Sequence, residues 1–145
     1  MNDPIGTEAE QPGWGSLLWR GITKRCPHCG SGHVFEGWFH MKERCPRCAL
    51  RFEREPGFFV GAYLINFAVA IILLFVVCMV IVAMKALDNS ADLTVPFVVG
   101  AIIAVGVPPF FYPFSKTVWS AIDIGMTPLE VHELEDAAAH RPVTA

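Results

Sequence analysis

Four of the chain's five cysteines stand in two matched pairs, Cys26-Pro-His-Cys29-Gly30 and Cys45-Pro-Arg-Cys48-Ala49, with fifteen residues between the pairs. Two residues between paired cysteines let one tight turn aim both sulfurs at a single ion. Two such turns complete a tetrahedron of sulfurs about 2.3 Å from a zinc ion. Proline stiffens each turn, and Gly30 supplies a left-handed backbone after the second sulfur. Ala49 stands where that glycine would be in the second knuckle, which predicts strain or a different turn there. All four ligand positions, Cys26, Cys29, Cys45 and Cys48, are filled by thiolates. No position is left for a catalytic water, so the site reads as structural zinc and leans away from catalysis. Four thiolates suit iron as well as zinc. A redox Cys-x-x-Cys normally opens a helix in a βαβ setting, and no such pattern surrounds these pairs. His28, His33 and His40 read as surface residues, and Cys78, isolated among Val and Met, as a small apolar filler.

A segment of some thirty residues cannot bury enough core to fold alone, and metal binding can supply roughly 10–16 kcal/mol to such a module. Val34, Phe35, Trp38, Phe39 and Phe52 are expected to form its small apolar layer, mostly on strands. Residues 20–55 hold eight basic and four acidic side chains. A tetrathiolate zinc site subtracts two charges and leaves about +2, weak for a phosphate-binding face, so nucleic acid is disfavoured as a partner. Anionic lipid headgroups are the better counter-charge if the ribbon lies near a membrane.

The elements that must position this ribbon follow from where charge is missing. Hydrophobic residues make up 53% of the 145 and charged ones 17%, well under the quarter typical of soluble domains. Phe58 to Met84 contains no charge, and about 20 apolar residues span a bilayer core. Leu93 to Phe114 is also uncharged and reads as a second span. Pro96 falls in its first turn, while Pro108, Pro109 and Pro113 should kink or unwind its far end. Lys42, Arg44, Arg47, Arg51 and Arg54 precede the first span and Lys116 follows the second, whereas the connecting turn has only Lys85 beside Asp88 and Asp92. The excess of basic residues places both termini in the cytoplasm, with the cytoplasmic (inner) membrane the expected location. In that reducing compartment, disulfides are disfavoured.

Residues 1–13 carry Asp3, Glu8 and Glu10, no Lys or Arg and no apolar run. They lack the marks of a signal peptide and read as a disordered tail. Within Trp14 to Ile22, Trp14, Leu17, Leu18 and Ile22 share a helical face. The piece is either a short interfacial segment, as tryptophan favours, or a turn packed on the ribbon. Thr127-Pro-Leu-Glu130 forms a capping-box pattern, which predicts a short acidic helix capped by Thr127.

Inside the spans, Ala62, Asn66 and Ala70 share one face, and Gly100 and Ala104 another, spacings that permit close helix contact. Pro108 and Pro109 deprive the carbonyls of Ala104 and Val105 of their usual partners. Asn66 is expected to donate across the hairpin to this opened backbone, and Asn66→Leu to destabilise the hairpin. At the boundary, Lys116, Trp119 and Asp123 share a face and Glu55 is placed to pair with Lys116. Glu55, Asn66, Lys116, Trp119 and Asp123 are therefore the candidate boundary and intramembrane residues, as a structural clamp or a site for a lipid or partner.

These readings combine into a membrane α-helical hairpin of two transmembrane helices with an N-terminal small β zinc ribbon. The tail occupies 1–13, and the interfacial segment and cytoplasmic ribbon 14–55. The hairpin with an interfacial extension follows over 56–126, and a short acidic helix and tail over 127–145. RCPHCGSGHVFEGWFHMKERCPRC, FEREPGFFVGAYLINFAVA and YPFSKTVWSAID, in that order over most of residues 25–123, resemble the bacterial Domain of Unknown Function 983 family. That family's second knuckle typically ends in Cys-Gly, where this chain has Cys48-Ala49. The resemblance implies a small bacterial membrane protein with no established activity. It also implies an association with haem-copper oxidase assembly, through neighbouring genes only. The expected function is a docking or assembly module for a membrane complex, with another membrane protein or a second copy of the chain as partner and membrane lipids around it. The alternatives are a lipid- or quinone-handling membrane protein and a thiolate redox or metal sensor.

Overall fold

The computed structural model describes residues 12–141, so the expected tail before Pro12 and the last four residues lie outside the described residues. The element order is α1 (Trp14–Ile22), β1 (Phe35–Glu36), β2 (His40–Met41), α2 (Val60–Leu87), α3 (Thr94–Met126) and α4 (Val131–Ala139). The two strands form one antiparallel hairpin, Phe35 opposite Met41 and Glu36 opposite His40. Gly37 at φ +72° makes its turn, a conformation that glycine takes without steric cost.

Helices α2 and α3 pack against each other as an antiparallel pair and are long and apolar enough to cross a membrane. At 1.5 Å per residue, the 33 residues of α3 reach about 50 Å, well past an apolar layer of about 30 Å. Prolines 108, 109 and 113 lie inside α3, and the helix runs through them without unwinding. On α2 the buried positions Ala62, Asn66 and Ala70 face the seam. On α3, Gly100 faces α2, where an added Cβ would reach Val77 at 3.5 Å. Ala104, expected on the same face, is exposed. Each four-residue step turns a straight helix by about 40°, and the half-buried line on α3 runs through Gly100, Ile103 and Val107 instead. Cys78 is exposed on α2.

The extension of α3 beyond Phe114 is the platform for everything else. Helix α1 runs antiparallel along it. A Cβ on Gly21 would lie 3.0 Å from the Ala121 Cβ, and one on Gly125 would strike the Trp14 ring. Thr117 Oγ1 donates to Gly21 O at 2.7 Å, so the missing side chain lets the two backbones meet. Of the two placements open for Trp14 to Ile22, neither is adopted whole: the segment is a helix packed on α3, with Trp19 and Ile22 left exposed.

The ribbon shares one core with this platform. Leu17 of α1, Val34, Met41, Leu50 and Phe52 of the ribbon, and Ala121 and Ile124 of α3 form a single buried cluster with Cys26, Cys45 and Cys48. Trp38 and Phe39, expected inside the ribbon layer, are exposed. They sit at the turn of a hairpin only two residues deep, and their rings pack outward on α3. Trp38 lies 5.6 Å from Phe110, and Phe39 lies 6.4 Å from Tyr112.

The acidic helix begins later than its capping pattern predicts. Thr127 is extended and closes α3, its N–H donating to Asp123 O at 2.7 Å. Its own carbonyl accepts from Arg54 at 3.0 Å. Glu130 is the N-cap of α4, and the reciprocal box forms with Glu133.

Candidate metal centre

Each knuckle is a closed turn. Gly30 N–H donates to Cys26 O at 2.8 Å and Cys26 N–H to Ser31 O at 2.9 Å. In the second knuckle, Ala49 N–H donates to Cys45 O and Cys45 N–H to Leu50 O, both at 2.9 Å. The turns match because Ala49 accepts the left-handed backbone, at φ +57° beside +75° for Gly30. Of strain or a different turn, the structure shows strain.

The four sulfurs lie within 4.8 Å of one another. Ligands 2.3 Å from one ion define a tetrahedron with edges of about 3.8 Å. Cys26 and Cys48 stand 3.8 Å apart, and Cys29 and Cys45 3.5 Å. The set therefore fits a single tetrahedral cation and can hold a metal ion. Ser31 Oγ lies 3.0 Å from the Cys45 sulfur and 3.3 Å from that of Cys29, where a hydroxyl stabilises thiolate charge. As free thiols the set resists full ionisation. Hydrogen bonds to Cys45 and then Cys48, with burial, push Cys26 far up, while Cys26 and Cys48 hold Cys45 far down. A divalent cation removes that conflict, because metal ligation takes sulfur as thiolate.

Arginines from outside the knuckles grip their carbonyls. Arg20 of α1 donates to Pro27 O at 3.0 Å and His28 O at 2.8 Å. Arg44 donates to Ala49 O at 3.2 Å and to Asp136 of α4 at 2.7 Å. Burial pushes the His28 imidazole down towards its neutral form. His28, expected on the surface, is half-buried, and it is its backbone carbonyl that Arg20 holds.

The residues expected at the boundary do not converge. Asn66 Nδ2 donates to Pro108 O at 2.9 Å, across the hairpin as expected but not to Ala104 or Val105. The height of Asn66 on α2 sets the acceptor, and a carbonyl has a second lone pair to offer. Trp119 lies flat over Gly61, where any Cβ would strike its ring. Lys116 sits over the rings of Phe59 and Tyr112, at 4.9 and 4.7 Å, and makes no pair with Glu55. Glu55 is exposed at the edge of a cleft of about 270 Å³ that Asp123 also lines.

Asp123 belongs to a centre that sequence reasoning missed. Arg54 Nη1 reaches Asp123 at 2.8 Å, while its Nε and Nη2 take both oxygens of Glu133 at 2.6 and 2.8 Å. Burial pushes the Glu133 carboxyl up, but hydrogen bonds from Arg54 and the Glu130 amide outweigh it and hold the group low. One guanidinium thus ties the segment leaving the ribbon to α3 and α4. The available signal was the demand of two acidic groups, Asp123 and Glu133, for a nearby cation.

No curated protein and no solved structure matches the chain. The family model described as "Protein of unknown function (DUF983)" matches residues 35–123, which include the second knuckle, all of α2, α3 as far as Asp123, and the Arg54 position. The chain belongs to that family.

Proposed function

We propose that the protein is an integral membrane protein whose hairpin holds a zinc-loaded ribbon in fixed orientation at the cytoplasmic face, where the ribbon docks a membrane complex. Respiratory oxidase biogenesis is the process we assign it to. The observation that carries this reading is the shared core of α1, the ribbon and the α3 extension. A ribbon on a flexible tether would only raise local concentration, whereas one built into the platform presents its surface at a fixed height and angle. Membrane insertion is supported by the apolar windows of α2 and α3, of which only 6% of residues are covered by the rest of the chain. Bare apolar surface on that scale is foreign to soluble monomers. The cytoplasmic placement rests on the basic residues flanking α2, and zinc on the tetrahedral fit of the thiolates.

The test is purification of the tagged protein from native membranes in mild detergent, beside a Cys26→Ser/Cys45→Ser variant. A stoichiometric membrane-protein partner, retained by the parent and lost from the variant, is the expected result. Partner-free protein in both samples overturns the docking role, and a normal oxidase content in a deletion strain overturns its assignment to oxidase biogenesis. Release of the chain by alkaline extraction overturns membrane insertion.

A further inference from the structure

Three polar rungs descend the seam between α2 and α3. At the top, the Lys116 ammonium lies over the Phe59 and Tyr112 rings. Beside it, the hydroxyls of Tyr63 and Tyr112 stand 3.0 Å apart. Below them Asn66 is bonded to Pro108 O, and its own Oδ1 is buried without a donor. The first two rungs have hydrogens to spare. Among the described residues, Lys116 has no carboxylate within ion-pair distance. Two tyrosine hydroxyls own two hydrogens and spend one on each other. Tyr63 is exposed on the outer surface of the hairpin, with Leu64 and Phe67 exposed beyond it. Above it opens a cleft of about 300 Å³ between the ribbon and the helices, lined by Lys116, Phe59, Lys42, His40, Glu43 and Glu53.

We propose that this seam is a headgroup site for a glycerophospholipid. Lys116 would take the phosphate, and the spare tyrosine O–H an ester carbonyl. The acyl chain would lie along the exposed apolar face below. The order and closeness of the rungs carry the assignment. A phospholipid presents its phosphate outermost, its ester carbonyls deeper and its hydrocarbon deepest. The same order runs along α3, where Lys116 follows Tyr112 by four residues towards the ribbon and its ammonium lies 4.7 Å from the Tyr112 ring, within reach of one phosphate–glycerol ester unit. A fatty acid carboxylate would engage only one rung, and a quinone has no negative charge for the lysine. Net charge does not draw the ligand. Lys42 and Lys116 are offset by Glu43 and Glu53 on the same cleft, so a soluble phosphate gains little, and selection comes from depth.

The site rests on the membrane reading above. The experiment is native mass spectrometry of the full chain, stripped of lipid in detergent, then given dioleoyl phosphatidylglycerol, oleic acid or glycerol 3-phosphate. One retained phosphatidylglycerol is expected. Lys116→Met should cut retention about tenfold and Lys116→Arg restore most of it, the signature of one charge-assisted contact. Tyr63→Phe with Tyr112→Phe should cut it about threefold, as for one neutral hydrogen bond. That double variant carries the test alone if Lys116→Met loses its metal or helicity. Unchanged retention in folded variants, or equal retention of oleic acid or glycerol 3-phosphate, overturns the site. A chain that stays monodisperse without detergent overturns the membrane reading itself. One that needs detergent yet keeps no phospholipid overturns the headgroup site alone.

Discussion

At the first knuckle a glycine takes the left-handed position after the second sulfur, and at the second an alanine does so, yet the closing hydrogen bonds agree within 0.1 Å. What differs is the mounting. Arg20 of the preceding helix holds the first knuckle through two of its carbonyls. Arg44 holds the second through one carbonyl, and is itself anchored on Asp136 of α4. Arg54, six residues past Cys48, ties the following chain to Asp123 and Glu133. The metal turn is therefore a local solution that four residues dictate twice. The attachments differ in reach: the first turn is held by Arg20 of α1 only seven and eight residues away, whereas the second is anchored through Arg44 on Asp136 of α4, 92 residues on.

The largest effect should be indifferent to that asymmetry. Cys26→Ser and Cys45→Ser each remove one of four ligands from a module that metal binding stabilises by roughly 10–16 kcal/mol. Both variants are expected to purify with little metal and to lose amide exchange protection across 25–54, while α2 and α3 keep theirs. Metal analysis with hydrogen exchange checks this. A ribbon that stays protected after the loss of either knuckle's sulfur would break the equivalence of the two turns.

Arg54→Ala should act on the second mounting only. It strands Glu133 and Asp123, whose side chains are 17% and 19% exposed. The expected cost is about 2–3 kcal/mol, between the values for surface and buried pairs. Exchange should rise in α4 and around Cys45 to Leu50, and stay unchanged at Cys26 to Ser31. Acid should imitate this variant. The Glu133 carboxyl is held below the 4.5 of a free glutamate, so the folded state binds that proton less tightly than the unfolded state. The contribution is whole above pH of about 4.5 and is lost as pH falls through the folded-state value. Limited proteolysis of α4 across that window should show opening in the parent, and in Arg54→Ala a helix already open at neutral pH.

The same division separates what the sequence shows from what it hides. The cysteine spacing, the uncharged stretches and the need of Asn66 for a partner across the hairpin are properties of short segments, or of a single polar group in apolar surroundings. Each can be read without knowing the rest of the fold. Arg54 meets partners 69 and 79 residues away, and nothing near it distinguishes it from Arg47 or Arg51. Expecting Glu55 to pair with Lys116 matched charges but not surroundings: Lys116 is taken up by the rings of Phe59 and Tyr112, and Glu55 is exposed. The capping pattern from Thr127 to Glu130 was sound locally, but it lost because Thr127 is engaged by Asp123 and Arg54, and the box forms from Glu130 to Glu133 instead. Trp38 and Phe39 were legible as apolar but not as outward-facing, since a strand pair of two residues each leaves little inner face to fill.

The smallest effect tests the knuckle comparison most directly, because two terms oppose each other. Ala49→Gly relieves a left-handed alanine, a conformation that costs L-residues about 1–2 kcal/mol. It also frees the unfolded chain, which costs roughly 0.5–1 kcal/mol. The first term exceeds the second, so the variant should be more stable by about 0.5 kcal/mol, seen as slower metal loss to a chelator. Gly30→Ala should run the other way and further. It imposes the same strain, and its Cβ would also lie 3.2 Å from Arg20 Nε, disturbing the side chain that mounts the first knuckle. Opposite signs with the larger magnitude at Gly30 are the expected outcome. Equal and opposite effects would mean that the Arg20 side chain yields to the new Cβ without losing its hold on the knuckle.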